Sequence, residues 1–156
     1  MKHPLEASPY KANVFLVVAD GIEAMWPHVE PHISRALSHS LGELSLQDLR
    51  EIVDTGAGAL LAFISPTGEC VGGAITQILN HQDGRRVCRI LAYGADDWNA
   101  TRDCLEEVEK SARMAGAQAM HFNGRPGWVK LCEPMGYKVM QVIMEKPLTT
   151  VAGGRA

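Results

Sequence analysis

The sequence predicts one α/β domain with a mixed central sheet, and three observations support that prediction. The chain has 156 residues, of which 46% are hydrophobic and 21% charged, ordinary values for one globular domain. Short apolar runs alternate with segments in which apolar residues recur three and four positions apart. Three of the apolar runs follow one another with only turns between them, which indicates an antiparallel meander.

The first elements are predicted to be a strand and a helix. Residues 13–19 form a β-rich run. Residues 22–37 carry a helical apolar stripe that contains two prolines. Pro27 suits a first helical turn, so the regular helix is expected to begin there. Pro31 is expected to kink or delay it.

A second helix and the meander follow. Ser45 and Asp48 resemble a capping box, which predicts a helix that stops at Gly56. The three meander strands are predicted over residues 59–65, 70–80 and 86–93. Their turn signals are residues 66–69 and the pair Asp83-Gly84. Within the second of these strands, Gly72-Gly73 indicates a bulge or a close backbone approach.

The second half is predicted to return to the sheet twice. The elements are a helix over residues 98–115, a strand over 117–122, a helix over 128–135 and a strand over 137–148. The predicted order is therefore β-α-α-β-β-β-α-β-α-β, with one right-handed parallel β-α-β crossover. Residues 1–11 and 149–156 read as loose tails of this single domain.

Bulk properties exclude several classes of protein. The net charge of −3 argues against a broad surface for nucleic acid. No apolar run is long enough to span a membrane, and residues 1–11 lack the apolar core of a signal peptide. A cytoplasmic location is expected, with the four cysteines reduced and at spacings that match no zinc site.

The element order resembles that of the GNAT (Gcn5-related N-acetyltransferase) superfamily over nearly the whole chain. The most similar piece is near the end, where Asn123 closes a strand, a short helix ends at residues 131–135, and Gly136-Tyr137 enters an apolar segment. In the family, the bulge that opens the ligand cleft lies on the strand after Gly72-Gly73. The resemblance implies a GNAT fold and, for active members, acetyl-CoA as the cofactor.

A second resemblance covers the last third of the chain. Residues 124–128 (GRPGW), followed by residues 135–137 (MGY), resemble short GNAT-like proteins of tailed bacteriophages. Some of those proteins are encoded among virion and morphogenesis genes. This likeness implies a location in the host cytoplasm or in the virion.

The segment that should bind the coenzyme pyrophosphate departs from the family pattern. Active members end the strand before the long helix in a glycine-rich turn, whose N–H groups close on the phosphates at the helix N-terminus. Here Gly94 is the only glycine, and Asp96 and Asp97 stand where an anion should bind. Either the remaining N–H groups still bind the coenzyme while Arg102 or Arg89 offsets the carboxylates, or an aspartate caps the helix.

The resemblance implies a set of candidate site residues. Those for the coenzyme are Leu91, Tyr93, Gly94, Ala95, Asn99, Ala100, Arg102 and Asn123. For catalysis, Cys132 stands where many members have a tyrosine that acts as the general acid, and Tyr93 is a further candidate. His121, on the strand after the long helix, is a candidate base or a sheet residue with one hydrogen bond. His28 and His32 are expected on a solvated helix face, and no metal site is predicted.

Two functions follow from these patterns. In the first, the chain is a GNAT-like protein without catalysis or cofactor, which acts through a protein partner or self-association, as a phage virion, morphogenesis or accessory protein. Its last strand, largely apolar on both faces, invites such contacts. In the alternative, it is an acetyl-CoA-dependent N-acetyltransferase with a divergent pyrophosphate turn.

Overall fold

Five strands form one sheet in which neighbours in space are neighbours in sequence. The strands are β1 (Asn13–Val17), β2 (Ala59–Ile64), β3 (Cys70–Asn80), β4 (Arg86–Ala95) and β5 (Ala119–Phe122). The helices are α1 (Ile22–Leu37), α2 (Leu46–Asp54), α3 (Trp98–Met114) and α4 (Pro126–Cys132). Strands β1 to β4 pair antiparallel, and β5 pairs parallel with β4 after the α3 crossover. The predicted meander and the parallel crossover are both confirmed.

These elements come from a computed structural model, which describes residues 12–149. The predicted loose tails, apart from Thr149, lie outside the described residues. The chain divides into two compact units, the first ending at Asn123 and the second beginning at Gly124. The sheet, α1, α2 and α3 belong to the first unit, and α4 belongs to the second.

Helix α1 contradicts the expectation that its prolines would delay it. The helix begins at Ile22 and runs through both Pro27 and Pro31 to Leu37. Each proline lacks the N–H of one intrahelical bond, at a cost of about 3 kcal/mol in a helix interior. The buried stripe outweighs this cost because it packs against the sheet; its residues are Ile22, Trp26, Val29, His32 and Ile33.

The start of α2 follows the sequence prediction. The Ser45 hydroxyl accepts a hydrogen bond from the Asp48 N–H at 3.0 Å, and the Asp48 carboxylate accepts one from the Ser45 N–H at 2.9 Å. This reciprocal pair is a capping box with aspartate in place of the usual glutamate. The Ser45 backbone and side-chain hydrogen bonds lower the pKa of Asp48, because they favour its charged form.

The sheet of the first unit is covered on both faces. On one face, α1 and α2 bury the larger apolar cluster, which includes Ile33, Leu49 and Ile75. On the other face, α3 contributes Cys104 and Val108 to a second cluster with β2 and β3. Burial raises the pKa of Cys104 to about 12, so its thiol stays protonated at neutral pH. All four cysteines are unbridged.

Two sheet glycines let α1 approach the strands closely. A Cβ at Gly73 would overlap the Val29 side chain, and one at Gly94 would overlap the backbone carbonyl of His32. Contact with a flexible side chain can relax, but contact with a backbone carbonyl would require the helix or strand to move. Gly94 therefore has a packing role, whether or not it binds a ligand.

The second unit corrects one predicted element. Helix α4 is followed by a 3-10 turn over Glu133–Met135, and Gly136 ends it with a left-handed φ of 98°. The strand predicted over residues 137–148 is not formed; this stretch, here called the C-terminal apolar segment, has no regular secondary structure. Alternating apolar residues make a strand only where another strand supplies hydrogen bonds, and the described second unit contains none.

We predict that Gly94→Ala destabilises the first unit by about 1–3 kcal/mol, the usual cost of overpacking. The urea unfolding midpoint should fall without a change in slope. Gly21→Ala is the matched control, because a Cβ there would make only an ordinary 3.6 Å contact with Val17. Equal midpoints for the two variants would contradict the close approach of α1 to β4.

Candidate functional site

Strand β4 contains one residue more than β3 can pair with. Ile75 pairs with Ala92 and Thr76 pairs with Ile90, so Leu91 has no partner between them. Leu91 therefore forms a β-bulge, which bends β4 and increases its twist. The bulge lies on the strand where the family resemblance places it.

The bulge coincides with the end of pairing between β4 and β5. The last parallel partners are Ile90 and Phe122, and residues 92–95 pair only with β3 in the described chain. Beyond the bulge, the edge of β4 that faces β5 is thus no longer paired with it. Such an edge can bind an extended ligand through main-chain hydrogen bonds.

The N-terminus of α3, which follows the end of β4, is capped by the chain itself. Asp97 is the N-cap residue, and its carboxylate accepts a hydrogen bond from the Asn99 N–H at 2.9 Å. The Asp97 carbonyl accepts the N–H groups of Ala100 and Thr101 at 3.2 and 3.1 Å. Asn99 and Ala100, both candidates for binding phosphate through their N–H groups, already use those groups within the helix.

Asp96 is held by a partner that sequence reasoning did not identify. Its N–H donates to the Val71 carbonyl at 3.0 Å, and its carboxylate accepts a hydrogen bond from Arg35 on α1 at 3.0 Å. The sequence suggested Arg89 or Arg102 as the cation that offsets this charge. In the structure, Arg35 on α1 offsets it. Arg35 and Asp96 are far apart in sequence, and no local pattern links them.

His32 corrects the expectation of a solvated histidine pair, because it is buried while His28 is exposed. The His32 Nε2 lies 3.1 Å from the Cys70 carbonyl, which can only accept a hydrogen bond. Nε2 therefore carries the proton, and Nδ1 accepts from Arg35 at 2.8 Å. His32 thus ties α1 to the start of β3 and helps to orient Arg35 toward Asp96.

The remaining coenzyme candidates lie along β4 and its exit. Tyr93 packs against Phe63, with ring centroids 5.2 Å apart, and its hydroxyl donates to the Thr101 carbonyl at 3.0 Å. Gly94 and Ala95 pair with Gly73 and Gly72 of β3. Two others are exposed, Arg102 on α3 and Asn123 at the end of the first unit.

The two candidate catalytic side chains other than Tyr93 belong to different units. His121 is half-buried on β5, and burial, followed by the charges of His81, Arg85 and Arg89, lowers its pKa. A lowered pKa keeps the imidazole neutral at neutral pH, which is the form a base requires. Cys132 is buried near the end of α4, in the second unit.

Residues 12–149 contain neither a cluster of metal ligands nor a helix able to span a membrane. No group of three or more His, Cys, Asp or Glu side chains is arranged to hold a metal ion there. Over the same residues, no helix combines the length and the apolar character that crossing a membrane requires.

Several solved structures with the same fold are named as acetyltransferases, all at low sequence identity. A putative acetyl transferase from Pyrococcus furiosus has a TM-score of 0.64 at 18% identity, covering 88% of this chain and 100% of that one. A Trypanosoma brucei acetyltransferase has a TM-score of 0.60 at 14% identity, with coverages of 88% and 100%. An aminoglycoside acetyltransferase from an uncultured soil metagenomic sample, solved with sisomicin, has a TM-score of 0.65 at 7% identity, with coverages of 88% and 95%.

These similarities establish the fold. No protein-family model matches the sequence, and no curated protein is significantly similar to it. The chain therefore has the GNAT acetyltransferase fold, as the element order predicted. At identities this low, the shared fold does not carry over a substrate or an activity.

We predict that Asp97→Ala lowers the free energy of unfolding by about 1 kcal/mol, because the Asn99 N–H loses its acceptor. Asp97→Ser should retain most of the stability, since a serine hydroxyl also caps a helix. Both midpoints can be measured by urea denaturation. If the two variants are equally destabilised, Asp97 acts through its charge and not as a cap.

Proposed function

We propose that this chain is a GNAT-fold protein that does not transfer acetyl groups and acts through protein–protein contacts. The observation that carries the proposal is the Asp97 carboxylate at the N-terminus of α3. In this fold that helix end is where a coenzyme pyrophosphate would bind through N–H groups. Here a fixed anionic group of the chain itself has taken one of those donors.

A pyrophosphate would meet two obstacles at this helix end. It would have to displace Asp97 from the Asn99 N–H, and it would lie close to the exposed carboxylates of Asp96 and Asp97. Repulsion between two unit charges 4 Å apart is about 1 kcal/mol in water and about 4 kcal/mol near a protein surface. The Arg35–Asp96 pair offsets part of this repulsion, but among residues 12–149 Asp97 forms no ion pair with a cation.

The C-terminal apolar segment supplies the contact surface in this proposal. Its large apolar side chains are exposed: Val139, Met140, Val142, Ile143, Met144 and Leu148. An extended apolar stretch of this kind resembles the strands that bind by adding to a sheet edge. Burying these side chains against another chain would remove the apolar surface from water. We propose that a second copy of the chain is one such partner.

A role in a tailed-phage particle or its assembly is the finer part of the proposal. It is supported by the residues 124–128 and 135–137 and their likeness to short phage proteins. Such a role would also account for an apolar surface that is exposed in the single chain and becomes buried on assembly.

One observation favours an alternative, an acetyl-CoA-dependent N-acetyltransferase with a divergent pyrophosphate turn. After the Leu91 bulge, β4 continues to residue 95 without parallel pairing to β5. In this alternative, Leu91, Tyr93, Gly94 and Ala95 would hold acetyl-CoA, which would supply the acetyl group. The N–H groups of Asn99 and Ala100 do not fit this role as they stand, because both are already bonded.

Coenzyme binding separates the two functions. We predict no change in the thermal midpoint with millimolar coenzyme A or acetyl-CoA, for the wild type. A ligand at 100 times its Kd would add about 2.7 kcal/mol, which raises the midpoint of a chain this long by several degrees. Such a rise in the wild type would contradict the non-catalytic proposal and favour the transferase. In that case the Asp97→Glu variant, which carries a bulkier anion at the helix end, should lose the rise.

Self-association tests the contact surface. We predict that sedimentation equilibrium gives a mass above the 17.0 kDa of one chain, and that Ile143→Lys returns it to one chain. Gln82→Lys adds the same charge at an exposed turn and should leave the mass unchanged. A strictly monomeric wild type at high concentration would contradict self-association through this segment.

A further inference from the structure

Four basic side chains meet where the β3–β4 turn lies beside β5. They are His81 and Arg85 in the turn, Arg89 on β4 and His121 on β5. Arg89 and His121 are partners in the parallel register, so they lie side by side. The rings of His81 and His121 are 5.6 Å apart between centroids, and the His81 N–H donates to the Arg85 carbonyl at 2.8 Å. We call these four residues the basic cluster.

The basic cluster carries more positive charge than its neighbours neutralise. Asp83 pairs with Arg85 at 3.2 Å, and it is an acidic group that faces the cluster. Within the part of the chain that the structure describes, Arg89 has no ion pair and its guanidinium meets no carboxylate. Because the charge of Arg85 is offset by Asp83, the remaining members of the cluster are Arg89 and the imidazoles of His81 and His121.

The position of these groups limits their hydration. Arg89, His81 and His121 are all half-buried, so each has lost part of its hydration. A partly desolvated guanidinium is stabilised only if its N–H donors find acceptors. Its planar fork matches the oxygens of phosphate and carboxylate groups, and imidazole N–H groups can donate to the same oxygens.

We propose that the basic cluster binds a small oxyanion, such as the phosphate group of a ligand, between Arg89, His81 and His121. The site is separate from the N-terminus of α3, because it lies at the β4–β5 pairing that precedes the Leu91 bulge. It therefore goes beyond the proposed function, and its test does not depend on whether coenzyme A binds.

The electrostatics of His121 give the proposal a pH dependence. Burial is the largest cause that lowers the pKa of His121, and the charges of His81, Arg85 and Arg89 act in the same direction. A bound dianion would oppose these repulsions and raise that pKa. By linkage, affinity for the anion should increase as pH falls through the titration of His121.

Sulfate is a suitable probe because its charge stays constant while the histidines titrate. We expect sodium sulfate to shift the ring-proton NMR signals of His81 and His121 along a saturable curve, and to raise the pKa of His121. Sodium chloride at the same ionic strength controls for screening. Equal, unsaturable shifts with both salts would overturn the proposal, because they indicate screening only.

Two variants test the residues, with an exposed arginine on α3 as the control. Arg89→Gln should weaken sulfate binding about tenfold, the effect of losing a charge-assisted hydrogen bond. Arg113→Gln removes the same charge from an exposed position and should change the affinity less than about twofold. Equal affinities in these two variants would overturn the proposal. Should Arg89→Gln fail to fold, His81→Gln in the turn decides in the same way.

Discussion

The extra residue in β4 is the constraint on which the site depends. Leu91 has no partner on β3, and the parallel pairing with β5 stops at Ile90. The same strand therefore has two halves with different surroundings. Before the bulge, β4 is paired on both sides, and the basic cluster lies there. After the bulge, β4 pairs with β3 but not with β5, and the two aspartates follow it. The bulge thus separates two regions of opposite charge.

The two aspartates that replace the family turn have different structural roles. Asp97 is bonded within its own helix, so it fixes where α3 begins. Asp96 is bonded across the fold to Arg35, which is itself held by His32 and so by the Cys70 carbonyl. This chain of contacts connects α1, β3 and the end of β4. The segment that follows β4 is thus held by hydrogen bonds within the first unit.

Local signals predicted most of the fold. The Ser45–Asp48 capping box and the Asp83-Gly84 turn depend on neighbouring residues, and both are present. The predictions that failed concern features that tertiary contacts determine. Helix α1 passes through Pro27 and Pro31 because its buried face outweighs them, and His32 is buried because α1 lies on the sheet. Arg35 and Arg89 gained their importance from distant partners, which no spacing in the sequence encodes.

The close packing at Gly94 has a consequence for how such sequences are read. A side chain there would collide with the His32 carbonyl, so the fold itself demands glycine at this position. A motif search would count the same glycine as a trace of coenzyme binding. In this chain, helix packing alone would preserve the glycine, whether or not a coenzyme binds. A glycine in the turn then reflects the packing of the fold. The groups that occupy the N-terminus of α3 are the better guide to the chemistry of the site.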